Sequence, residues 1–194
     1  MSSLEMESAD PKRAAVLAAA VGVFGRYGFQ KTSMEAVAKA AGISRPGLYL
    51  LFPNKEQLYR ATMHDVLDRA QRAMEAHLAD QTVSFDQRIV AGLDALMGPY
   101  IDTQVARDLN ELLENSEPQL GTMFSDYQDR ARAALRVHID DLAPPGLLDG
   151  GLSADDIVEL IFSAALTWKS TSATRKEFRD RIRRSLRLIH RAAG

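Results

Sequence analysis

Thr32-Ser33-Met34-Glu35-Ala36-Val37-Ala38-Lys39-Ala40-Ala41-Gly42-Ile43-Ser44-Arg45-Pro46-Gly47-Leu48-Tyr49-Leu50-Leu51-Phe52 is the stretch on which the fold turns. It reads as two short helices around a tight turn. Thr32 and Glu35 stand at capping-box spacing, T-x-x-E, which would satisfy orphan amides at a helix start. Met34, Val37, Ala38 and Ala41 recur at i, i+3, i+4 and i+7, one apolar helical face. Gly42 follows where a chain leaving a helix needs a left-handed residue. Ile43 can plug the angle between the helices. Ser44 is a good N-cap for the second helix, and Pro46 is tolerated in a first turn. Leu48 and Phe52, four apart, form its buried side, leaving Arg45, Gly47 and Tyr49 facing out. The pattern is a helix-turn-helix with an arginine at the N-terminal end of its second helix, the end that meets base edges in such motifs.

Charge around this stretch is uneven. The whole chain of 194 residues carries a net charge of -2. From Pro11 to Arg60, eight cations (Lys12, Arg13, Arg26, Lys31, Lys39, Arg45, Lys55, Arg60) face only Glu35 and Glu56, a local +6. A basic module in an otherwise acidic chain is the electrostatic footprint of phosphate binding. Composition is that of a soluble globular protein, 46% hydrophobic and 26% charged. The absence of cysteine excludes a disulfide frame and a thiolate metal site, and fits a reducing compartment.

Lys12-Arg13 and the apolar run Ala14 to Phe24 pass superficially for a signal peptide. Acidic residues precede them, and Gly25-Arg26-Tyr27-Gly28 follows instead of a small-residue cleavage site. The run is shorter than the ~20 apolar residues that span a bilayer. The expectation is a buried helix, no membrane contact and a cytoplasmic location.

Working outward, residues 1 to 9 read as a disordered acidic tail. Asp10-Pro11 reads as a helix start. That helix runs to about Tyr27, with Leu17, Val21 and Phe24 on one face, and Gly28 stops it. After Pro53-Asn54, a helix capped by Asn54 runs without a breaker from Lys55 to about Asp80. Leu58, Met63, Val66, Leu67, Ala70 and Met74 form its seam. Ser84 is a candidate cap for a helix from Phe85 to Met97, ended by Gly98-Pro99. A further helix is expected over about Thr103 to Asn115. A long one runs from about Gln119 to Leu142, with Met123, Phe124, Tyr127, Ala131, Leu135 and Ile139 in its seam. The Pro- and Gly-rich segment Ala143 to Gly151 is a loop. Ser153 caps a helix through Thr171 with Ile157, Leu160, Ile161, Ala164, Ala165 and Trp168 apolar. Thr174 starts the last helix, with Phe178, Ile182, Leu186 and Ile189 at near-heptad spacing. No repeat, low-complexity tract or convincing strand alternation is present, so the fold class is all-α. Three divisions follow: a tail to residue 9, a helix-turn-helix domain over 10–62, and a helical domain over 63–194.

The N-terminal block resembles the TetR family of transcriptional regulators. The residues that carry the resemblance are Ala18-Ala19-Ala20-Val21-Gly22-Val23-Phe24, Tyr27-Gly28-Phe29, Thr32-Ser33-Met34, Val37-Ala38, Ala41-Gly42-Ile43-Ser44, Leu48-Tyr49, Phe52-Pro53 and Lys55-Glu56-Gln57-Leu58. They cover about residues 11 to 60, in order and at the family's spacing. One departure is Leu50-Leu51, where polar or basic residues are expected; it weakens a phosphate contact or adds an apolar contact to a thymine methyl. The resemblance implies a regulator that binds double-stranded operator DNA and has a helical C-terminal domain for ligand binding and dimerisation. It implies a homodimer through the last two helices and a repressor released by a small-molecule effector. It implies no catalysis. The rival is an all-α small-molecule-binding or enzymatic domain that does not read DNA.

Candidate DNA-contacting residues are Ser33, Ser44, Arg45, Pro46, Gly47, Tyr49 and Lys55. Arg45 could be bidentate to guanine O6 and N7, or rest on a phosphate. Gly47 would let the helix approach the groove. Tyr49 matches the family tyrosine that bonds a phosphate. Lys55 opens a helix whose own N–H groups could hold one phosphate. Ser33 and Ser44 are caps first and phosphate donors second. Met97, Tyr100, Met123, Phe124, Tyr127, Phe162 and Trp168 are core residues singly and a plausible pocket together, fit for a largely apolar effector. His64, His77, His138 and His190 are too scattered for a metal site, and no cofactor motif is present. The last helix carries Arg175, Lys176, Arg179, Arg181, Arg183, Arg184, Arg187 and Arg191. A solvated face opposite its apolar stripe is the expectation.

Overall fold

The computed structural model describes residues 11–101, 120–148 and 151–193. The expected tail, the Asp10 cap and the expected helix over residues 103–115 lie outside these residues. Among the described residues the chain is helical throughout: α1 (Pro11–Lys31), α2 (Met34–Ala40), α3 (Arg45–Leu51), α4 (Lys55–Ala79), α5 (Phe85–Met97), a 3-10 turn (Gly98–Tyr100), α6 (Met123–Leu142), α7 (Ala154–Thr171) and α8 (Arg175–Ala193). Two compact units are present. One holds the described residues up to Leu67, with Leu120 and Gly121; the other holds 68–101 and the described residues from Thr122 onward. The division falls inside α4, a few residues beyond the boundary expected at 62.

In the N-terminal unit, α1 buries Val16, Leu17, Ala20, Val23 and Phe24. Val21 turns half away, so the buried face lies slightly around the helix from the one expected. Gly28 breaks the helix at φ 71°, ψ 171°, the left-handed half of the map where glycine meets no Cβ penalty. One more helical turn, Phe29 to Lys31, follows. The break frees the Gly28 carbonyl, and the buried Thr32 hydroxyl donates to it at 2.7 Å. Thr32 therefore does not cap α2. Ser33 does, its Oγ accepting from Ala36 N at 3.1 Å. The cap sits one residue later than the T-x-x-E spacing suggested because Thr32 is used behind it.

The other unit is built from α5 to α8 and most of α4. Ser84 caps α5 and exchanges hydrogen bonds with Gln87 in a full capping box. Ser153 and Asp156 do the same at α7. α6 begins at Met123, not Gln119, because Gly121 takes φ 58° and interrupts the helix. Its seam of Tyr127, Ala131, Leu135 and Ile139 is buried as expected, and His138 joins it. On α7 the buried residues are Ala154, Ile157, Val158, Ile161, Phe162 and Ala165. Leu160, another of its apolar residues, is 58% exposed.

Phe178, Ile182, Leu186 and Ile189 of α8 are all buried within the chain itself. This apolar stripe of α8 is therefore intramolecular core. The basic side of α8 is also not simply solvated. Asp94, buried on α5, accepts from Arg175 Nε at 2.8 Å and from Arg179 Nη1 at 3.2 Å. Gly98 leaves room for this clamp, since a Cβ there would collide with the Asp94 carboxylate and the Arg175 guanidinium.

Candidate nucleic-acid interface

The reading head is assembled by backbone chemistry on both sides of one turn. Leaving α2, Gly42 takes φ 66°. Ile43 N reaches Ala38 O at 3.0 Å and Gly42 N reaches Lys39 O at 3.2 Å. These are the two bonds of a Schellman motif, which satisfies carbonyls the helix leaves open. Two residues on, Ser44 Oγ accepts from Gly47 N at 3.2 Å and starts α3. A Cβ on residue 47 would stand 3.1 Å from that Oγ. Glycine there serves the cap, a reason the sequence did not display beside close approach to a groove. Leu48 and Phe52 are buried and anchor α3 from behind.

What α3 turns outward is Arg45, Pro46, Tyr49 and Leu50. The Arg45 guanidinium lies 5.7 Å from the Tyr49 ring centroid. Its pKa is raised above the ordinary arginine value, first by a hydrogen bond to Tyr49, so it is a permanent cation. Leu50 is 87% exposed, an apolar side chain with no place in the core. A helix face offering a fork of N–H donors, a phenol and a methyl-rich tip suits base edges, phosphate and thymine methyl in turn.

Ser33 and Ser44 are exposed with their hydroxyl oxygens occupied as acceptors by the caps. Each still has an O–H to donate. Lys55 is more committed than expected. Its Nζ donates to Gln30 O at 3.2 Å and lies 4.5 Å from the Phe29 ring centroid. It thus ties the start of α4 to the last turn of α1. An ammonium has three donors, so the contact leaves capacity for a phosphate. Asn54 caps α4 as expected, accepting from Gln57 N at 2.8 Å.

Three residues outside the candidate contacts shape this face. Arg13 packs its guanidinium 5.0 Å from the Phe52 ring. Phe29 carries Lys55. Tyr59, fully buried, meets Phe24 edge-on at 4.9 Å and Phe29 at 5.0 Å. An aromatic cluster with cations at its margins was signalled only by the density of Phe and Tyr between residues 24 and 59.

Met97, Tyr127 and Phe162 are buried as ordinary core, Met123, Phe124 and Trp168 are half-buried, and the Tyr100 side chain lies outside the described residues. Phe162 is covered by the Arg132 guanidinium at 4.5 Å. Two clefts in this unit are lined by other residues. One, of about 540 Å³, is lined by His77, Val83, Asp86, Val90, Arg183 and Arg187 among others. The second, of about 560 Å³, runs between α4 and α6. Among the described residues there is no cluster of potential metal ligands, and no helix is long and apolar enough to cross a membrane.

Comparison with known proteins fits this geometry. The profile of bacterial regulatory proteins of the tetR family matches residues 16–62. The HTH-type transcriptional regulator RutR of Escherichia coli is 42% identical over 57 residues, 29% of this chain and 27% of that protein. The match thus spans about a quarter of that relative's length. The HTH-type transcriptional regulator TtgR of Pseudomonas putida is 25% identical over 166 residues, 81% of this chain and 78% of its own. Among solved structures, a transcriptional regulator from Aquifex aeolicus superposes with a TM-score of 0.69 at 16% identity, covering 92% of this chain and 99% of that one. The TetR family transcriptional regulator PfmR from Thermus thermophilus gives 0.62 at 20% identity, covering 91% and 97%. At these identities the superpositions speak for a shared helical fold, while the sequence matches centre on the reading head. Residues 16–62 are thus similar to the N-terminal domain of the tetR family of bacterial regulatory proteins.

Proposed function

We propose that this protein is a sequence-specific DNA-binding transcriptional regulator, a repressor released from operator DNA by a small-molecule effector in the cytoplasm. The observation that carries the reading is α3 itself. It is capped at Ser44, anchored by Leu48 and Phe52, and turns Arg45, Tyr49 and Leu50 to solvent. In this reading α3 enters the major groove, Arg45 meets a guanine, and Leu50 meets a thymine methyl. Tyr49, Ser33, Ser44 and the remaining donors of Lys55 meet phosphates, which fix register.

One reading head sees only a half-site, so the active species is a two-fold dimer. The stripe of Phe178, Ile182, Leu186 and Ile189 is spent inside the chain. The outward apolar residues of α7 and α8, Leu160 at 58% and Leu188 at 63% exposure, are the better candidates for the seam. Helix α4 runs from Lys55 to Ala79. An effector shifts DNA affinity only by its differential affinity for the two states, typically ~1–3 kcal/mol of coupling.

The test is selection of duplexes from a randomised pool, followed by titration of the selected and a scrambled duplex at two salt concentrations. Specific binding with a log-log salt slope of several units is expected. Equal, weak binding to both duplexes would favour a helical ligand-binding or enzymatic protein that does not read DNA.

A further inference from the structure

The groove between α4 and α6 contains a feature that plain core packing does not explain. Its walls are largely apolar, formed by Leu78 on α4 and by Val137 and Leu142 on α6, the last two 54% and 47% exposed. Two buried polar side chains line it as well. Gln71 and His138 are each only 5% exposed, and Gln71 Oε1 and His138 Nε2 have no hydrogen-bond partner among the described residues. They are not bonded to each other. The orientation of the Gln71 amide is settled by Glu75, whose carboxylate accepts from Gln71 Nε2 at 2.7 Å. A carboxylate can only accept, so the amide nitrogen must face it and the oxygen is left over.

His138 is held as a neutral imidazole. Burial pushes its pKa below the ordinary histidine value, and the Arg88 guanidinium pushes it the same way. Its ring is stacked on Phe85, centroids 5.2 Å apart and planes 7° from parallel. The groove therefore combines a free amide acceptor and a neutral imidazole nitrogen with apolar walls. Its charged rim does not favour anions. Glu75 and Asp141 line it, and Arg130 is drawn to Asp68 at 3.3 Å. A leftover buried acceptor costs free energy unless something donates to it. A volume of about 560 Å³ suits a small organic molecule.

We infer that the α4–α6 groove is a binding site for an uncharged, mainly apolar small molecule that donates a hydroxyl or N–H hydrogen to Gln71 Oε1 and engages His138. This names a chemical class for the effector in the reading above and rests on that reading only for its consequence at DNA. The site differs from the pocket expected around Met97, Met123, Tyr127 and Trp168.

The probes are 2-naphthol, naphthalene and 2-naphthoate, which share a body and differ in one group. Each is titrated into the full-length protein without DNA by calorimetry, at pH 7.5. The naphthol should bind more tightly than naphthalene by about 3- to 10-fold, the worth of one net hydrogen bond. The naphthoate should bind more weakly than either. Gln71→Leu and His138→Phe should each shrink the naphthol preference toward one while naphthalene still binds. Retained naphthalene binding also verifies that the variants fold. Equal affinity for all three probes, or a naphthol preference untouched in both variants, would overturn the inference. DNA titration of the same variants is read separately. Normal operator binding with failed probe binding sinks this site alone, and the reverse sinks only the DNA reading.

Discussion

The two units use their cations in opposite ways. In the N-terminal unit, Arg13, Arg45 and Lys55 lie over the rings of Phe52, Tyr49 and Phe29, and none of them forms a salt bridge with a described carboxylate. In the other unit Arg130, Arg132, Arg136, Arg175, Arg179, Arg181 and Arg183 all lie within salt-bridge distance of Asp or Glu. An aromatic face orients a cation without neutralising it, so the charge remains available to a phosphate. A carboxylate cancels it. Arg13, Arg45 and Lys55 therefore keep their charge on folding, whereas the eight cations of α8 are largely absorbed into scaffold. Counting basic residues along the chain would rank α8 the better polyanion binder; their partners reverse that order.

The sharpest way to break this comparison is on α8. If the helix is scaffold, a charge on its inner side must be intolerable and one on its outer side must not. Ile182→Asp places a carboxylate in fully buried surroundings. A loss of about 3–5 kcal/mol, or failure to fold, is expected in urea melts. Leu188→Asp, on the exposed side, should change unfolding by no more than about 0.5 kcal/mol. If the proposed seam is right, it should shift sedimentation from dimer toward monomer. An Ile182→Asp protein that folds with native stability would mean the inner stripe is not core.

Asp94 gives the next effect. Its carboxylate is 12% exposed and serves two arginines that are themselves 46% and 33% exposed. Breaking a fully buried pair costs more, but these guanidinium groups can return to water, which discounts the loss. Asp94→Ala should cost about 1–3 kcal/mol of stability and leave DNA affinity per folded molecule unchanged. Gly98→Ala should destabilise through the same clamp, because its methyl collides with it.

For Arg45 the readouts exchange places. Arg45→Ala should leave the melting curve unchanged and cost about 1–3 kcal/mol on the selected duplex, with relaxed preference at one base position. Lys55→Ala should weaken all sequences alike and lower the salt slope by about one. Equal losses for Arg45→Ala on selected and scrambled duplexes would move that residue from base to phosphate.

How much of this was legible follows from where the determining contacts lie along the chain. The helix-turn-helix was readable because its signals are local: Gly42, Ser44 and Pro46 act on their own backbone within five residues. The Ser33 cap was missed by one residue because Thr32 answers to Gly28, a kink partner four residues back. The burial of the α8 stripe was legible, but not its partner, since self-packing and dimer packing select the same periodicity. The α4–α6 groove joins Gln71 to His138, sixty-seven residues away. No spacing rule connects them, and a lone histidine on an apolar face reads as core.

The smallest predicted effect concerns that histidine and acid. His138 has a folded-state pKa below the ordinary value of 6.5, through burial and then Arg88. The carboxylates of Glu75 and Asp141 line the same groove, and the shift follows burial first and the Arg88 charge second. On acidification the unfolded chain therefore takes up this proton before the folded chain does. Stability rises with pH wherever the unfolded state binds more protons, so the contribution is fully present above about pH 6.5. It is lost as pH falls from there toward the folded-state value, below which the loss levels off. The measurement is a difference. Urea midpoints of the native chain and His138→Phe are followed from pH 8 to 5. The native protein should fall further than the variant between pH 6.5 and 5. Parallel curves would mean that His138 gains a proton in the folded state as easily as in the unfolded one. It would then sit in a wetter groove than its burial beside Phe85 implies.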